Sequence, residues 1–292
     1  MSSKRVLILG AGGMLGHMAV RVLSNGHEVF GTTRASKNQN DPLARFLRDD
    51  AWVPEIDVRD NDALSALLHN LKPEVVVNCV GLVKQKMDSR TFIDSIEINS
   101  LLPHRLATIC SEADSKLIQM STDCVFTCDP GVKTTEMIPN ATDLYGRTKH
   151  LGEVDYDRAL TIRSSIVGKQ LTGSEGLFEW VISQNNGVIN GYRNALYSGV
   201  TTMTMAKIIN EVITTNEELS GVWQVASQEI SKYELVKQLI ETLNLNIGLN
   251  EDHSFYCDRR LDGAKFTNVT GISVPSWEAM LSEFASDQIH YR

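Results

Sequence analysis

The sequence predicts an α/β protein: a doubly wound parallel sheet followed by a smaller C-terminal α/β lobe. Three observations carry this expectation. Short β-branched runs alternate with helical stretches up to about residue 167, the pattern of βαβ units. The first of these runs passes straight into glycines at three-residue spacing, Gly10, Gly13 and Gly16. Beyond Gly168 the alternation breaks into short segments punctuated by Gly173, Gly176, Gly187, Gly191 and Gly199. Residues 1–170 therefore read as a dinucleotide-binding domain and residues 171–292 as a second lobe, with a strand at 222–226 free to return to the first.

Residues 5–9 (RVLIL) are apolar after Arg5, as expected of a strand buried on both faces. The loop Gly10-Ala11-Gly12-Gly13-Met14-Leu15-Gly16 follows, then a helical pattern to the turn Ser24-Asn25-Gly26, then a second strand at Val29-Phe30. Strand, glycine loop, helix and strand in this order form a Rossmann dinucleotide site. Gly10 permits the tight turn, Gly13 admits the pyrophosphate, and Gly16 lets the helix pack on the strand. Met14 and Leu15 open that helix, whose free N–H groups and dipole suit phosphate. The second strand leads into Gly31-Thr32-Thr33-Arg34 with no carboxylate for a ribose 2′-hydroxyl. Arg34 is either the partner of a 2′-phosphate, which favours NADPH, or a solvated surface arginine.

Further strands are expected at 51–58 and 75–81. The first ends on Asp57-Val58, where Asp57 either caps the next helix or binds the adenine amino group. The second carries Asn78, Cys79 and Gly81 at its carboxyl end, where open parallel sheets bind ligands. Lys84-Gln85-Lys86 follow, either touching an anionic substrate or forming a solvated charge cluster. A helix over 97–113 is expected, with Leu102, Leu106, Ile109 and Ala113 in the core and Asn99 facing no assigned direction. The strand 116–120 delivers Ser121-Thr122-Asp123. Tyr145 and Lys149 then stand four residues apart, on one face of a helix. A nearby ammonium favours the phenolate and lowers the tyrosine pKa. With Thr122 holding a carbonyl oxygen, the three side chains form a proton-delivery device.

In the second half, helices are expected at 177–183, 204–214, 232–243 and 277–284, and a strand at 222–226. Ser231 and Glu234 form a capping box, and Trp180 reads as a core residue. The net charge of -8 and the lack of a basic stripe argue against nucleic acid. The longest apolar run, Val75 to Val83, is broken by Asn78 and too short to span a bilayer. Lys4-Arg5 leads into a strand rather than a signal sequence. The five cysteines lack framework spacing, so reduced thiols in a cytoplasmic protein are expected, and Cys124-x-x-x-Cys128 has no second pair for zinc.

The ordered set Gly10-x-x-Gly13-x-x-Gly16, Asp57-Val58, Asn78-Cys79-Val80-Gly81, Ser121-Thr122-Asp123 and Tyr145-x-x-x-Lys149 resembles the extended short-chain dehydrogenase/reductases. The stretches Ser121 to Phe126 and Asp143 to Glu153 are most similar to the dTDP-4-dehydrorhamnose reductase family, the sugar-nucleotide 4-ketoreductases. The resemblance covers residues 4 to 167 and continues more weakly through 258–262. It implies that Tyr145 is the general acid, that Lys149 lowers its pKa and binds the nicotinamide ribose, and that Thr122 holds the reacting oxygen. It also implies hydride delivery from NADPH to a nucleotide-linked 4-keto-6-deoxysugar. Lys84, Asp123, Arg259 and Arg260 are the candidate substrate contacts. Either arginine suits a diphosphate, or serves in an ordinary salt bridge. A homodimer is a possible assembly. Cys124 departs from the tyrosine often found there. A 4,6-dehydratase, a C4 epimerase, and a non-catalytic subunit resembling the regulatory subunit of methionine adenosyltransferase remain the alternatives.

Overall fold

The computed structural model describes residues 3–38, 40–83, 92–173 and 176–287. The first half runs β1 (Arg5–Leu9), α1 (Gly16–Leu23), β2 (Glu28–Thr32), β3 (Trp52–Val53), α2 (Asn61–Leu71) and β4 (Val75–Asn78). One long helix follows, made of α3 (Phe92–Ser95), a π-helical turn at Ile96–Leu101 and α4 (Leu102–Glu112). Then come β5 (Lys116–Met120), α5 (Leu144–Leu151), β6 (Leu160–Arg163) and β7 (Ile166–Val167). The second half holds α6 (Leu177–Ser183), β8 (Val188–Tyr197), β9 (Val200–Thr201), α7 (Thr202–Thr215), β10 (Gly221–Gln224) and β11 (Ile230–Ser231). It ends with α8 (Lys232–Thr242), β12 (Gly248–Asp258), α9 (Ala264–Thr270) and α10 (Trp277–Asp287).

Seven strands form a parallel sheet in the order β10-β6-β5-β4-β1-β2-β3. The apolar runs predicted to be buried strands have side chains on both faces packed. Val6, Ile8, Val75, Val77 and Ile118 join the core shared with α1 and α7, whereas Leu7, Leu9, Val76 and Leu117 pack with Leu64, Leu68 and Leu106 of α2 and α4. Chain order reverses on either side of β1, whose neighbours are β2 and β4. The crevice at the carboxyl ends of such strands is the natural ligand site.

The strand expected at 222–226 is β10, and it returns to the main sheet to pair with β6. The strand expected at 51–58 shrinks to Trp52-Val53. Two longer strands escaped the sequence reading: β8 and β12 pair in parallel, with β11 antiparallel on the other edge of β8. β12 is largely exposed and polar, so no hydrophobic alternation marks it. Trp180 is exposed, and Phe178 and Val181 supply the core contacts of α6 instead.

Cys128 and Cys257 form a disulfide between the loop after β5 and the end of β12, which corrects the expectation of reduced thiols throughout. Their 129-residue separation hides the pairing in sequence. Cys79, Cys110 and Cys124 are free. Among the described residues, no helix is long and apolar enough to cross a membrane.

Candidate active site

A cleft of about 590 Å³ opens at the carboxyl ends of β1, β4 and β5 and is closed from above by the C-terminal lobe. Gly12, Gly13, Met14 and Leu15 line one end, Cys79 and Gly81 one wall, and Thr122, Asp123, Cys124, Tyr145 and Lys149 the floor. Tyr197 and Lys232 face them from the lobe. A larger hollow of about 770 Å³ lies between α8 and α10, but it contains none of the predicted proton-transfer groups.

The glycine turn has the geometry its spacing predicts. Gly10 has φ 78°, and a Cβ on Gly16 would lie 2.1 Å from the Gly10 carbonyl oxygen. Only glycine permits that approach of helix to strand. Leu15 caps α1 without any side-chain hydrogen bond, so the first N–H groups of the helix have no side-chain acceptor. These features fit a dinucleotide pyrophosphate. Thr32 braces the turn by accepting from Gly10 N–H at 3.2 Å.

Arg34 is exposed after β2 and acts electrostatically on Asp57. Asp57 is held at about 2 chiefly by hydrogen bonds from Arg59, with Arg34 adding a smaller pull. It does not cap α2; Asp60 does, accepting from Ala63 N–H at 3.0 Å. Val58 is buried with Leu64 in the core. Asn78 is fully buried, donates to Gln119 at 2.7 Å and accepts from Val80 N–H at 3.1 Å, so it braces the end of β4. Burial pushes the Cys79 thiol up to about 12. Lys84 lies outside the described residues.

The proton-transfer groups converge as expected, with one electrostatic correction. α5 starts at Asp143, whose side chain accepts from Gly146 N–H at 3.0 Å. A Cβ on Gly146 would lie 2.2 Å from the Cys124 carbonyl oxygen, so this glycine lets α5 press against the loop after β5. That contact brings Tyr145 beside Thr122. Thr122 caps the 3-10 turn Asp123–Val125, accepting from Cys124 N–H at 3.2 Å and donating to Asp123 at 3.1 Å. Burial raises the Tyr145 phenol above its ordinary value, Cys124 and Asp123 adding to the rise and Thr122 opposing it. Lys149 stands one turn further along α5. Its ammonium donates to the Met120 carbonyl at 2.6 Å, and burial lowers it to about 8 against the pull of Glu153. The lowered Tyr145 pKa expected beside Lys149 is therefore not found: burial dominates and the net shift is upward. Glu153 is braced by Arg163 at 2.7 Å and by Ser121 at 2.7 Å.

The two arginines at the end of β12 separate cleanly. Arg260 pairs with Asp258, at 2.7 and 2.8 Å, and with Glu229, which fits the salt-bridge alternative. Arg259 reaches Cys124 Sγ with one terminal nitrogen and keeps a buried Nε without a partner. Its field acts on Tyr145, Cys124 and Lys232.

Sequence reasoning gave no role to Asn99, Tyr197 or Lys232. Asn99 sits in the π-helical turn, exchanges hydrogen bonds with Leu82 at 2.9 and 3.0 Å, and so ties the loop after β4 to the helix. Tyr197 and Lys232 meet only because β11 pairs with β8, Ile230 opposite Tyr197. The capping box at Ser231 marked the helix start but not the direction of its first side chain.

The model of the RmlD substrate binding domain family matches residues 4–289. The probable low-salt glycan biosynthesis reductase Agl14 of Haloferax volcanii is 28% identical over 234 residues, covering 76% of this chain and 74% of that protein. The methionine adenosyltransferase 2 subunit beta of Rattus norvegicus is 29% identical over 158 residues, 52% of this chain and 42% of that protein. Among solved structures, a dTDP-4-dehydrorhamnose reductase from Bacillus anthracis in complex with NADP superposes with a TM-score of 0.80 at 18% identity, over 98% of this chain and 99% of that one.

Proposed function

The chain belongs to the RmlD substrate binding domain family, and on that premise we propose that it is an NAD(P)-dependent oxidoreductase that reduces the 4-keto group of a nucleotide-diphospho-4-keto-6-deoxysugar in deoxysugar biosynthesis. The observation that carries this reading is the convergence of Thr122, Tyr145 and Lys149 in the cleft that the glycine turn opens. NADPH, when bound, supplies the hydride. Gly13, Met14, Leu15 and the N-terminus of α1 hold its pyrophosphate, and Arg34 takes the 2′-phosphate. Tyr145 gives its proton to the ketone oxygen. The phenol carries the proton at neutral pH, and approach of the cationic Lys149 beside it is what brings its pKa down toward the working range. Thr122 donates to the same oxygen as charge develops there. Lys149 leaves the Met120 carbonyl to meet the ribose and the phenol. Asp123 and Arg259 contact the substrate, Arg259 through its diphosphate.

Net reduction is favoured over dehydration by Cys124. A dehydratase resembling these enzymes needs a second carboxylate directly after Asp123. Here that position holds a buried thiol pushed up to about 12, unable to act as acid and base at neutral pH. The non-catalytic reading is disfavoured by the intact proton-transfer set.

Purified protein is expected to oxidise one NADPH per 4-ketosugar reduced. Tyr145→Phe should lower kcat at least ~10²-fold with cofactor affinity kept. Turnover without net NADPH oxidation, or a fully active Tyr145→Phe, would reject the assignment. The cofactor preference has its own check. Arg34→Ala should weaken NADPH about tenfold or more while sparing NADH, and equal loss for both would remove Arg34 from the 2′-phosphate.

A further inference from the structure

Lys232 is the one cleft residue whose charge the proposed reduction leaves unused. It is the first residue of α8, and its ammonium lies 3.4 Å from the centroid of the Tyr197 ring. Tyr197 in turn packs on Trp277, with ring centroids 5.6 Å apart, so the ammonium rests on a rigid aromatic platform. The charged and polar groups around it are Asp123, Cys124 and Arg259. Asp123 and Cys124 directly follow Thr122, which places the ammonium at the reacting end of the cleft rather than at the pyrophosphate turn. Among the described residues, no oxygen accepts a hydrogen bond from it; its recorded partners are the Tyr197 ring and the field of those three groups.

An ammonium held on a ring at the reacting end of the cleft is placed to donate to whatever occupies the cleft. Two features narrow what that is. Arg259 stands beside Cys124 with a free guanidinium edge, and a planar fork suits phosphate oxygens better than an ammonium does. The diphosphate therefore has its ligand, and the ammonium is left for the sugar. A ring hydroxyl is a weak acceptor that water supplies equally well. A carbonyl-type oxygen on a rigid ring substituent is a stronger acceptor, and the charge-assisted bond it receives is correspondingly stronger.

We propose that Lys232 is a specificity-determining residue whose ammonium donates to a carbonyl oxygen on a sugar-ring substituent, so that the preferred sugar carries an acylamino group rather than hydroxyls alone. The proposal rests on the sugar-nucleotide reading for the identity of the ring and deepens it by naming the class of sugar.

The test is calorimetric binding to the NADP-loaded protein, which needs no turnover. The probes are the nucleoside diphosphate alone and its glucose and N-acetylglucosamine derivatives, in the uridine and thymidine series. Wild-type protein should bind the acetamido sugar about tenfold tighter than the glucose derivative. Lys232→Met and the milder Lys232→Gln should erase that preference and leave nucleoside diphosphate and NADP affinity unchanged. Wild-type protein that binds the substituted sugars no better than glucose, or not at all, overturns the proposal without recourse to any variant. A matching loss of affinity for the bare diphosphate in both variants also overturns it, by moving the ammonium to the phosphates. If the binding pattern holds while no ketosugar is reduced, the reaction assignment fails and the role of Lys232 stands.

Discussion

At the scale of single residues, Tyr145 and Lys149 line one cleft as their spacing suggests, but their electrostatics differ from the expectation. Four-residue spacing places both on one face of α5, and that was legible. Burial was not, because it depends on Cys124, the lobe above and the floor of β5. Desolvation drives the phenol up and the ammonium down, each away from its charged form. A pH dependence follows. Lys149 has a value of about 8, so its ammonium is present below that pH and lost above it. Lys232 also sits at about 8 and loses its charge in the same window. The kcat/KM profile, which reports the free enzyme, should therefore fall as pH rises through about 8. A profile that stays flat to about pH 10, where ordinary lysines titrate, would contradict this. Asp57, Asn78 and Arg260 show the converse problem. Each was a sensible ligand by position, yet Asn78 and Arg260 are occupied by neighbours, and Asp57 is held by Arg59, that no spacing rule reveals.

At the scale of elements, the active site depends on how closely α5 lies against the loop after β5. Gly146 sets that distance, and an alanine there would meet the Cys124 carbonyl oxygen and, at 2.5 Å, the Ala141 Cβ. Gly146→Ala should destabilise the protein by about 1–3 kcal/mol, the scale of an overpacked contact. It should also lower kcat about tenfold or more by shifting Tyr145 from Thr122. Chemical denaturation and steady-state kinetics on the same preparation check both, and an alanine variant with wild-type kcat would show that the approach does not position the phenol. The parallel strands and the glycine turn were readable because their residues are apolar on both faces or conformationally special. β8 was not, because Val188 and Tyr192 lie on its exposed side and Gly191 on its buried one, and β12 was not, because it is exposed over most of its length.

For the whole molecule, the sequence read the first half as a unit and the second as an appended lobe. The structure shares them more deeply. β10 leaves the second half to pair with β6, and α7 covers the same face of the sheet as α1. The Cys128–Cys257 bond adds a covalent link between the halves, near Arg259 and the loop that carries Thr122. Closing so long a loop restricts the unfolded chain, and reduction should cost about 2–4 kcal/mol of stability. Thermal unfolding with and without reductant checks this, with a Cys128→Ser/Cys257→Ser variant expected to match the reduced protein. Identical melting in all three would show that the bond contributes nothing.

The same bond gives the polypeptide the connectivity of a ring with two tails. A protease that cuts once between residues 128 and 257 opens the ring without releasing a fragment. Such a nicked molecule keeps its mass on a denaturing gel until a reducing agent is added, so intactness of this protein is judged only after reduction.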